Sequence, residues 1–305
     1  MNSSWDDTIK DFELYLRLEK SLSENSIEAY THDIHKMYEF FVIHENNTSP
    51  ESVDLDLIRD FLYWLNMLGI SERSQARIIS GIKAFYLYLW LEKRITEDPT
   101  ELIDSPKIGR KLPEFLSIEE IDKMLYSIDF SKAEGQRNKA IIETLYSCGL
   151  RVSELINLRL SNLYFNEGFI RVIGKGNKER LVPISNKAIK EIGYYKESTR
   201  NHISPQKGSE DIVFLNRRGR KLTREMIFII VKQIAMAAEI TKNISPHTFR
   251  HSFATHLVNG GADLRAVQDM LGHETITTTE IYTHLDKQHL RDTIMMYHPR
   301  SNASK

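Results

Sequence analysis

Apolar residues recur every three or four positions along most of the chain, a spacing typical of amphipathic α-helices. In the first hundred residues this spacing predicts four helices, which lie over 5–19, 26–42, 54–68 and 71–93. Aromatic side chains fill many of the apolar positions, and such stripes usually form a packed core. The N-terminal third is therefore predicted to be a four-helix domain.

The pattern changes over residues 95–115, which contain three prolines and the basic residues Lys107, Arg110 and Lys111. A continuous helix is not expected there, because proline lacks a backbone N–H and disfavours helix in the residue before it. This segment is interpreted as a basic linker between two domains. The predicted division is a first domain over 1–104, a linker over 105–115 and a second domain over 116–305.

Helical spacing also dominates the second domain, which begins with the capping box Ser117-Ile-Glu-Glu. Two segments break the helical pattern. The first, FIRVIGKGNKERLVPI at 169–184, predicts a β-hairpin, and the second, DIVFL at 211–215, predicts a short strand. The predicted fold class is therefore mainly α, with a mostly helical second domain that contains a small antiparallel sheet.

The overall composition excludes some classes of protein but does not indicate a specific function. The chain has 41 Lys and Arg against 42 Asp and Glu, so net charge neither favours nor excludes nucleic acid, for which local charge suffices. A single cysteine, Cys148, excludes an internal disulfide and fits a reducing cytoplasm. The polar opening MNSSWDDTIK predicts no secretory signal, and no run approaches the ~20 apolar residues that span a bilayer. A cytoplasmic protein without membrane insertion is expected.

The stretch SPHTFRH at 245–251 predicts the start of a helix, with Ser245 as N-cap and proline at the first helical position. The helix is predicted to stop at the glycine pair 260–261. Phe249, Phe253 and Leu257 fall four residues apart and form one apolar stripe.

A different face of this helix carries His247 and Arg250, with His251 one turn beyond His247. Three interpretations stay open from these residues alone: a solvated polar face, a metal site and an anion site at the helix N-terminus. The metal site is the weakest, because the H-E-x-x-H pattern is absent and a single cysteine excludes a cysteine-based zinc centre.

Four further polar residues lie at predicted element ends and turns. Arg151 begins a short helix, Lys175 lies in the turn GKG, His273 follows a helix end and Tyr282 lies in TTEIYTH. Each residue alone has an ordinary interpretation, respectively a surface charge, a turn residue, a helix-dipole partner and a core tyrosine.

Taken together, these residues and their neighbours resemble the tyrosine site-specific recombinases of the phage integrase family, in particular its Xer branch. The likeness lies in LYSCGLRVSEL at 145–155, GKGNKERLVPI at 174–184 and the long motif SPHTFRHSFATHLVNGGADLRAVQDMLGHETITTTEIYTH at 245–284. The N-terminal helices resemble the family only in general character, best in LSENSIEAYTHDI. The resemblance implies an N-terminal SAM-like core-binding domain followed by a catalytic domain.

The same resemblance implies DNA strand cleavage and rejoining through a 3′-phosphotyrosyl intermediate, without metal, ATP or another cofactor. The implied roles are nucleophile for Tyr282, phosphate contacts for Arg151, Arg250 and His273, general acid for Lys175 and proton acceptor for His247. Elementary chemistry agrees with these roles. Guanidinium groups match phosphate oxygens in pairs, and a tyrosine of pKa ~10 needs a nearby base or positive field to attack at neutral pH.

DNA contacts outside the catalytic residues are expected from two basic segments. One is NRRGRKLTR at 216–224, with Arg217, Arg218 and Arg220 in a predicted loop, and the other is the linker. A solvated loop is the ordinary alternative. Beside a phosphate-processing site, contact with the DNA backbone is favoured.

The partners implied by the resemblance are a double-stranded recombination site, a XerC-like second recombinase and an FtsK-type DNA translocase. A tetramer on DNA is expected, formed through exchange of the C-terminal helix. The expected task is chromosome dimer resolution at cell division. Alternatives are an integrase or transposase of a mobile element, a type IB topoisomerase and a DNA-binding protein without catalysis. The length leaves no extra arm-binding domain, which favours the Xer branch.

Overall fold

Contacts within the chain divide it into unit 1 over Met1–Lys111 and unit 2 over Leu112–Lys305. The computed structural model describes residues 4–106, 109, 114–174, 177–272 and 284–301. The predicted linker over 105–115 falls largely outside these residues, so the predicted domain boundaries stay a prediction.

Unit 1 contains the four helices that the apolar spacing predicts, with ends within two residues of those expected. They are α1 Trp5–Leu18, α2 Glu24–Ile43, α3 Leu55–Met67 and α4 Glu72–Leu91. Three of the helices begin after a polar residue whose side chain accepts a backbone N–H of the first turn, namely Ser4, Asp54 and Ser71. Such caps bind N–H groups that the helix itself leaves without a partner.

Aromatic side chains form a large part of the core of unit 1, together with aliphatic residues. Phe12, Phe61 and Phe85 are fully buried, and the rings of Phe12 and Phe85 meet edge to face at 5.3 Å. The indole of Trp5 is buried beside them and donates its N–H to the carbonyl of Thr48 at 2.9 Å. Edge-to-face packing and a bonded indole are both favourable arrangements for buried aromatic groups. The predicted aromatic core is thereby confirmed.

Unit 2 is mostly helical around one small sheet. Its helices are α5 Ile118–Tyr126, α6 Gly135–Cys148, α7 Val152–Ile156, α8 Asn186–Ser198, α9 Arg224–Ala237, α10 Pro246–Gly260, α11 Leu264–Leu271 and α12 His284–Tyr297. The strands β1 Leu163–Tyr164, β2 Phe169–Ile173 and β3 Glu179–Pro183 form an antiparallel sheet in that order. The predicted hairpin is β2 and β3, in which Val172 pairs with Arg180. Strand β1 was not predicted, because two residues are too few for an alternating pattern.

Local signals in the sequence set several helix ends in unit 2. Ser117 and Glu120 form the predicted capping box, with bonds of 3.2 and 2.7 Å between side chains and backbone N–H groups. Helix α10 begins at Pro246 and ends before Gly261, as predicted. Asp263 caps α11 through its carboxylate, which accepts the N–H of Ala266 at 3.1 Å.

The core of unit 2 surrounds α6, which is buried along most of its length. The predicted stripe of α10 is confirmed, because Phe249, Phe253 and Leu257 are all fully buried in this core. Leu290 and Ile294 of α12 belong to the same core. Helix α12 therefore packs against its own unit in this structure.

The predicted strand at 211–215 is wrong. Only isolated bridges form there, one between Ile212 and Arg159 and one between Leu215 and Lys221. Two backbone hydrogen bonds join the segment to residues 158 and 160, too few for a strand, and side chains bind other carbonyls. Arg200 donates to the carbonyl of Ile212 at 3.0 Å, and Arg137 donates to that of Leu215 at 3.2 Å. The segment is buried and apolar like a strand, but its backbone pairs with another segment only briefly, and arginine side chains bind two of its carbonyls.

Among the helices that the structure describes, none combines the length and apolar character needed to cross a membrane.

Candidate active site

Arg151 lies between the end of α6 and the start of α7, in extended conformation, with its guanidinium about one-third exposed. The carboxylate of Glu154, three residues on, accepts the backbone N–H of Arg151 at 2.8 Å and its Nη1 at 3.0 Å. The other terminal nitrogen, Nη2, donates to the carbonyl of Gly272 at 3.1 Å. The guanidinium is thus fixed to two parts of the chain, of which Gly272 is 121 residues away.

Arg250 projects from α10 toward the ends of α6 and α11. Its Nη1 donates to the carbonyl of Gly149 at 2.8 Å, and its Nη2 donates to the carbonyl of Leu271. Burial, and then the positive charge of Arg151, lower the pKa of Arg250 to about 10. Arg250 still carries its charge at neutral pH. Two guanidinium groups are therefore held side by side at the ends of α6 and α11.

A buried carboxylate balances part of this positive charge. The side chain of Glu154 is almost completely buried, and burial alone would raise its pKa. Hydrogen bonds from Arg180 and from Arg151 outweigh burial, so the pKa of Glu154 lies below its usual range. Glu154 is therefore ionised at neutral pH and orients Arg151 as a charged partner.

His247 lies one turn before Arg250 on α10 and is exposed. It belongs to the first turn of the helix, where backbone N–H groups and the helix dipole favour an anion. Residues three apart on a helix lie on the same side of it, so His247 and Arg250 are neighbours on α10. The anion-site interpretation of SPHTFRH thus gains a second cation, Arg151.

Three of the six predicted catalytic residues, Lys175, His273 and Tyr282, lie outside the described residues. Gly272, directly before His273, is described and accepts a hydrogen bond from Arg151. Within the part of the chain that the structure describes, no group of three or more His, Cys, Asp or Glu side chains is arranged to hold a metal ion.

Comparison with known proteins gives the family of the chain. The model of the phage integrase family matches residues 114–289, and that of the phage integrase N-terminal SAM-like domain matches residues 9–93. The chain is 41% identical to the tyrosine recombinase XerD of Listeria innocua serovar 6a over 295 residues, which cover 97% of this chain and 99% of the relative. It belongs to the phage integrase family of tyrosine recombinases.

A second relative agrees with this assignment, and solved structures share the fold. The recombinase is 42% identical over 293 residues to the tyrosine recombinase XerD of Staphylococcus aureus, with 96% of this chain and 99% of the relative covered. The post-cleavage complex of XerH with a palindromic difH substrate matches the fold with a TM-score of 0.71 at 23% identity, over 97% of each chain. A Tn1549 transposon integrase in complex with circular intermediate DNA matches with a TM-score of 0.70 at 20% identity, over 88% of this chain and 92% of that one. The predicted resemblance to the Xer branch is confirmed, and so is the predicted fold class.

Two guanidinium groups held side by side, as Arg151 and Arg250 are, can stabilise a phosphate whose negative charge grows during a reaction. A pentacoordinate phosphorane carries more negative charge on its equatorial oxygens than the ground state does. Guanidinium groups fixed in advance by the carbonyls of Gly149, Leu271 and Gly272 need no rearrangement when that charge develops. Such preorganised charge is commonly the largest contribution to catalysis.

Sequence reasoning missed Glu154, which holds Arg151 through both backbone and side chain. A signal was present in the spacing R-V-S-E, because a glutamate three residues after a helix start can reach back to that residue. The same glutamate also pairs with Arg180. The two residues are 26 positions apart, so no local pattern in the sequence indicates their contact.

Of the predicted DNA contacts, Arg217, Arg218 and Arg220 are exposed in a turn that the bridge between Leu215 and Lys221 closes. Asn216 fixes the turn, since its side chain accepts the backbone N–H groups of Arg218 and Arg220 at 2.9 and 3.1 Å. The predicted linker contacts Lys107, Arg110 and Lys111 lie outside the described residues. DNA contact by either set stays a prediction.

Proposed function

We propose that Tyr282 attacks the scissile phosphate of a DNA recombination site and forms a 3′-phosphotyrosyl intermediate. Arg151 and Arg250 bind the phosphate oxygens, with His273 as a further donor. Lys175 protonates the departing 5′ oxygen, and His247 accepts the proton of Tyr282. The observation that carries the proposal is the pair of guanidinium groups fixed at the ends of α6 and α11.

The charges of the described residues support this division of roles. Arg151 and Arg250 are both directed at the segment that ends in Gly272, and His273 follows it in the sequence. A positive field at this point favours phenolate over phenol in Tyr282, because an opposite charge nearby lowers the pKa of an acid. The covalent phosphotyrosyl bond retains the energy of the broken phosphodiester, so the strand can be resealed without ATP or metal.

The biological task that we propose is resolution of chromosome dimers at cell division, in the cytoplasm. The likeness to XerD recombinases over nearly the whole chain supports it. This task implies a XerC-like partner recombinase, an FtsK-type translocase and a tetramer on DNA joined by exchanged C-terminal helices. Because Leu290 and Ile294 are buried in their own unit, exchange of α12 requires its release from that core. Sedimentation of complexes on paired sites would test the tetramer, and only dimers at saturation would count against it.

Covalent trapping tests the proposed chemistry. The substrate is DNA with a candidate recombination site and a nick beside the scissile phosphate, so that cleavage releases a short fragment and cannot reverse. The wild type and Tyr282→Phe are incubated with it in EDTA and without ATP, and products are separated on denaturing gels. A protein–DNA adduct is expected for the wild type alone, with equal DNA binding by both proteins.

Two further variants separate phosphate binding from nucleophilic attack. Arg250→Lys keeps the charge but lacks the fork that donates to Gly149 and Leu271 together, so adduct formation is expected to fall by about 10²-fold or more. Arg171→Lys serves as the matched control, because Arg171 lies on the exposed side of β2. An adduct that persists in Tyr282→Phe, or that depends equally on Arg171 and Arg250, would contradict the assigned roles. If no adduct forms, adding a XerC-like protein distinguishes a missing partner from a wrong site.

A further inference from the structure

Arg180 is a buried arginine on β3 whose three guanidinium nitrogens all have partners. Nη1 and Nη2 donate to the two carboxylate oxygens of Glu154 at 2.8 and 2.9 Å. The remaining nitrogen, Nε, donates to the carbonyl of Met270 at 2.9 Å. Only 8% of the side chain is exposed. Arg180 therefore binds parts of the protein rather than solvent.

The partners of Arg180 belong to segments that carry the proposed catalytic residues. Glu154 orients Arg151, as described above. Met270 lies at the end of α11, two residues before Gly272. A Cβ placed on Gly272 would lie 3.2 Å from Cδ of Arg180, so the arginine packs directly against that glycine. Gly272 immediately precedes His273 in the sequence.

The guanidinium of Arg180 also lies beside the base of the β2–β3 turn. A Cβ placed on Gly174 would lie 3.5 Å from Nη1 of Arg180 and 3.7 Å from Oε1 of Glu154. The N–H of Gly174 donates to the carbonyl of Lys178 at 2.8 Å, which closes the turn. Gly174 immediately precedes Lys175. One side chain thus binds the carboxylate that holds Arg151 and lies beside the residues directly before Lys175 and His273.

Charge and exposure assign Arg180 a role in positioning rather than in phosphate contact. Its two parallel bonds with Glu154 form a bidentate pair, the strong geometry for guanidinium and carboxylate. The negative charge of Glu154 is balanced by Arg180 within the protein. Because Arg151, Arg180 and Arg250 outnumber the one carboxylate, a net positive charge remains for the phosphate.

We propose that Arg180 is a positioning residue for Lys175, because it fixes the hairpin that bears Lys175 to Glu154 and to the end of α11. The proposal rests on the proposed role of Lys175 as general acid. That step is the most sensitive to Arg180, because Lys175 lies just beyond β2 and its place depends on how the hairpin is held. Misplacement by about 1 Å can slow a reaction about 10²-fold.

The test compares two leaving groups in single-turnover cleavage at saturating enzyme. One DNA has the ordinary bridging 5′ oxygen at the scissile phosphate, and the other has sulfur there. An alkoxide needs a proton to depart, whereas a thiolate of pKa ~8.5 departs without one. A defect in the placement of the general acid is therefore relieved by sulfur, and a defect in phosphate binding is not.

Arg180→Gln is expected to slow cleavage of the oxygen substrate by about 10²-fold and to recover most of that loss on the sulfur substrate. DNA affinity should not change, since Arg180 is not accessible. Arg171→Gln on the neighbouring strand is the matched control, because Arg171 is partly exposed and donates to Asn162 at 3.0 and 2.8 Å. It should cleave both substrates at the wild-type rate.

Arg180→Lys keeps the test valid if Arg180→Gln does not fold. Lysine preserves the charge beside Glu154, but its single ammonium cannot form the parallel pair and also reach Met270. Circular dichroism confirms folding, and a smaller loss of the same kind is expected, again relieved by sulfur. A folded Arg180→Lys with the wild-type rate on the oxygen substrate would overturn the proposal, as would an equal loss on both substrates.

Lys175→Ala, measured in parallel, separates the role of Lys175 as general acid from the positioning role of Arg180. Relief of Lys175→Ala by sulfur supports its role as general acid. If Lys175→Ala stays slow on sulfur, the proposed function has failed at Lys175. If Lys175→Ala is relieved and Arg180→Gln is not, the positioning role of Arg180 has failed while the general acid stands.

Discussion

Gly149 offers a sharp test of how the end of α6 supports the site. This residue ends the helix with a left-handed conformation, φ 57°. Its carbonyl accepts Nη1 of Arg250, and a Cβ at this position would lie 2.6 Å from Cδ1 of Phe253. Phe253 is fully buried and cannot rotate away without disturbing the core. We therefore expect Gly149→Ala to destabilise unit 2 and to displace the partner of Arg250.

The magnitude follows from two separate effects. The left-handed conformation costs an alanine about 1–2 kcal/mol, partly offset by about 0.4–1 kcal/mol because alanine restricts the unfolded chain. The clash with Phe253 adds about 1–3 kcal/mol, the usual cost of overpacking a core. Gly208 shares the left-handed conformation, φ 83°, but a Cβ added there would meet no atom within 4 Å. Gly208→Ala is therefore the matched control for the first effect.

The assay is urea denaturation of the full chain followed by far-UV circular dichroism. All three tryptophans, Trp5, Trp64 and Trp90, lie in unit 1, so tryptophan emission follows that unit separately. The free energy of unfolding of unit 2 should be about 1–3 kcal/mol lower for Gly149→Ala than for Gly208→Ala. Equal stability of the two variants would refute the reasoning, because it would mean that the contact with Phe253 costs nothing.

Two further predictions concern pH and DNA binding. Burial, and then the charge of Arg300, lower the pKa of His298 to about 3, so between pH ~6.5 and ~3 the unfolded chain binds a proton that the folded chain does not. The free energy of unfolding should therefore fall as pH falls through this window, by at most ~1.4 kcal/mol per pH unit. The urea midpoint should depend less steeply on pH in His298→Gln than in the wild type. An equal dependence in both proteins would exclude His298 as the cause. Replacing Arg217 and Arg218 together by alanine should weaken DNA binding and reduce the salt dependence of the affinity, with a log–log slope smaller by about 2 in a fluorescence-anisotropy titration. An unchanged slope would remove this turn from the DNA contacts.

The sequence predicted the helices well because their signals are local. The capping box at Ser117, the proline at 246 and the aspartate at 263 act within one turn, so their effect is visible in four consecutive letters. The segment 211–215 failed for the opposite reason. Its backbone partners are a short stretch at 158–160 and side chains from α6 and from residue 200, and periodicity contains no information about such distant partners.

The site residues also differ in whether the sequence contains a local signal for them. Arg151 and Arg250 could be chosen from their motifs, and the structure brings both to the end of α11. Glu154 has a local signal in its spacing from Arg151. Arg180 has none, because a lone arginine in a hairpin is most simply interpreted as a surface charge. Its bidentate pair with Glu154 and its bond to Met270 depend on the tertiary fold.

The central claim is that Tyr282 forms the covalent bond to DNA, and mapping the trapped adduct tests it most directly. The chain has 13 tyrosines, but the tryptic peptide over 266–287 contains only Tyr282. After digestion of the adduct with trypsin and nuclease, mass spectrometry should find the residual nucleotide on this peptide and on no other. A nucleotide on a peptide that lacks Tyr282 would contradict the account and require a different nucleophile.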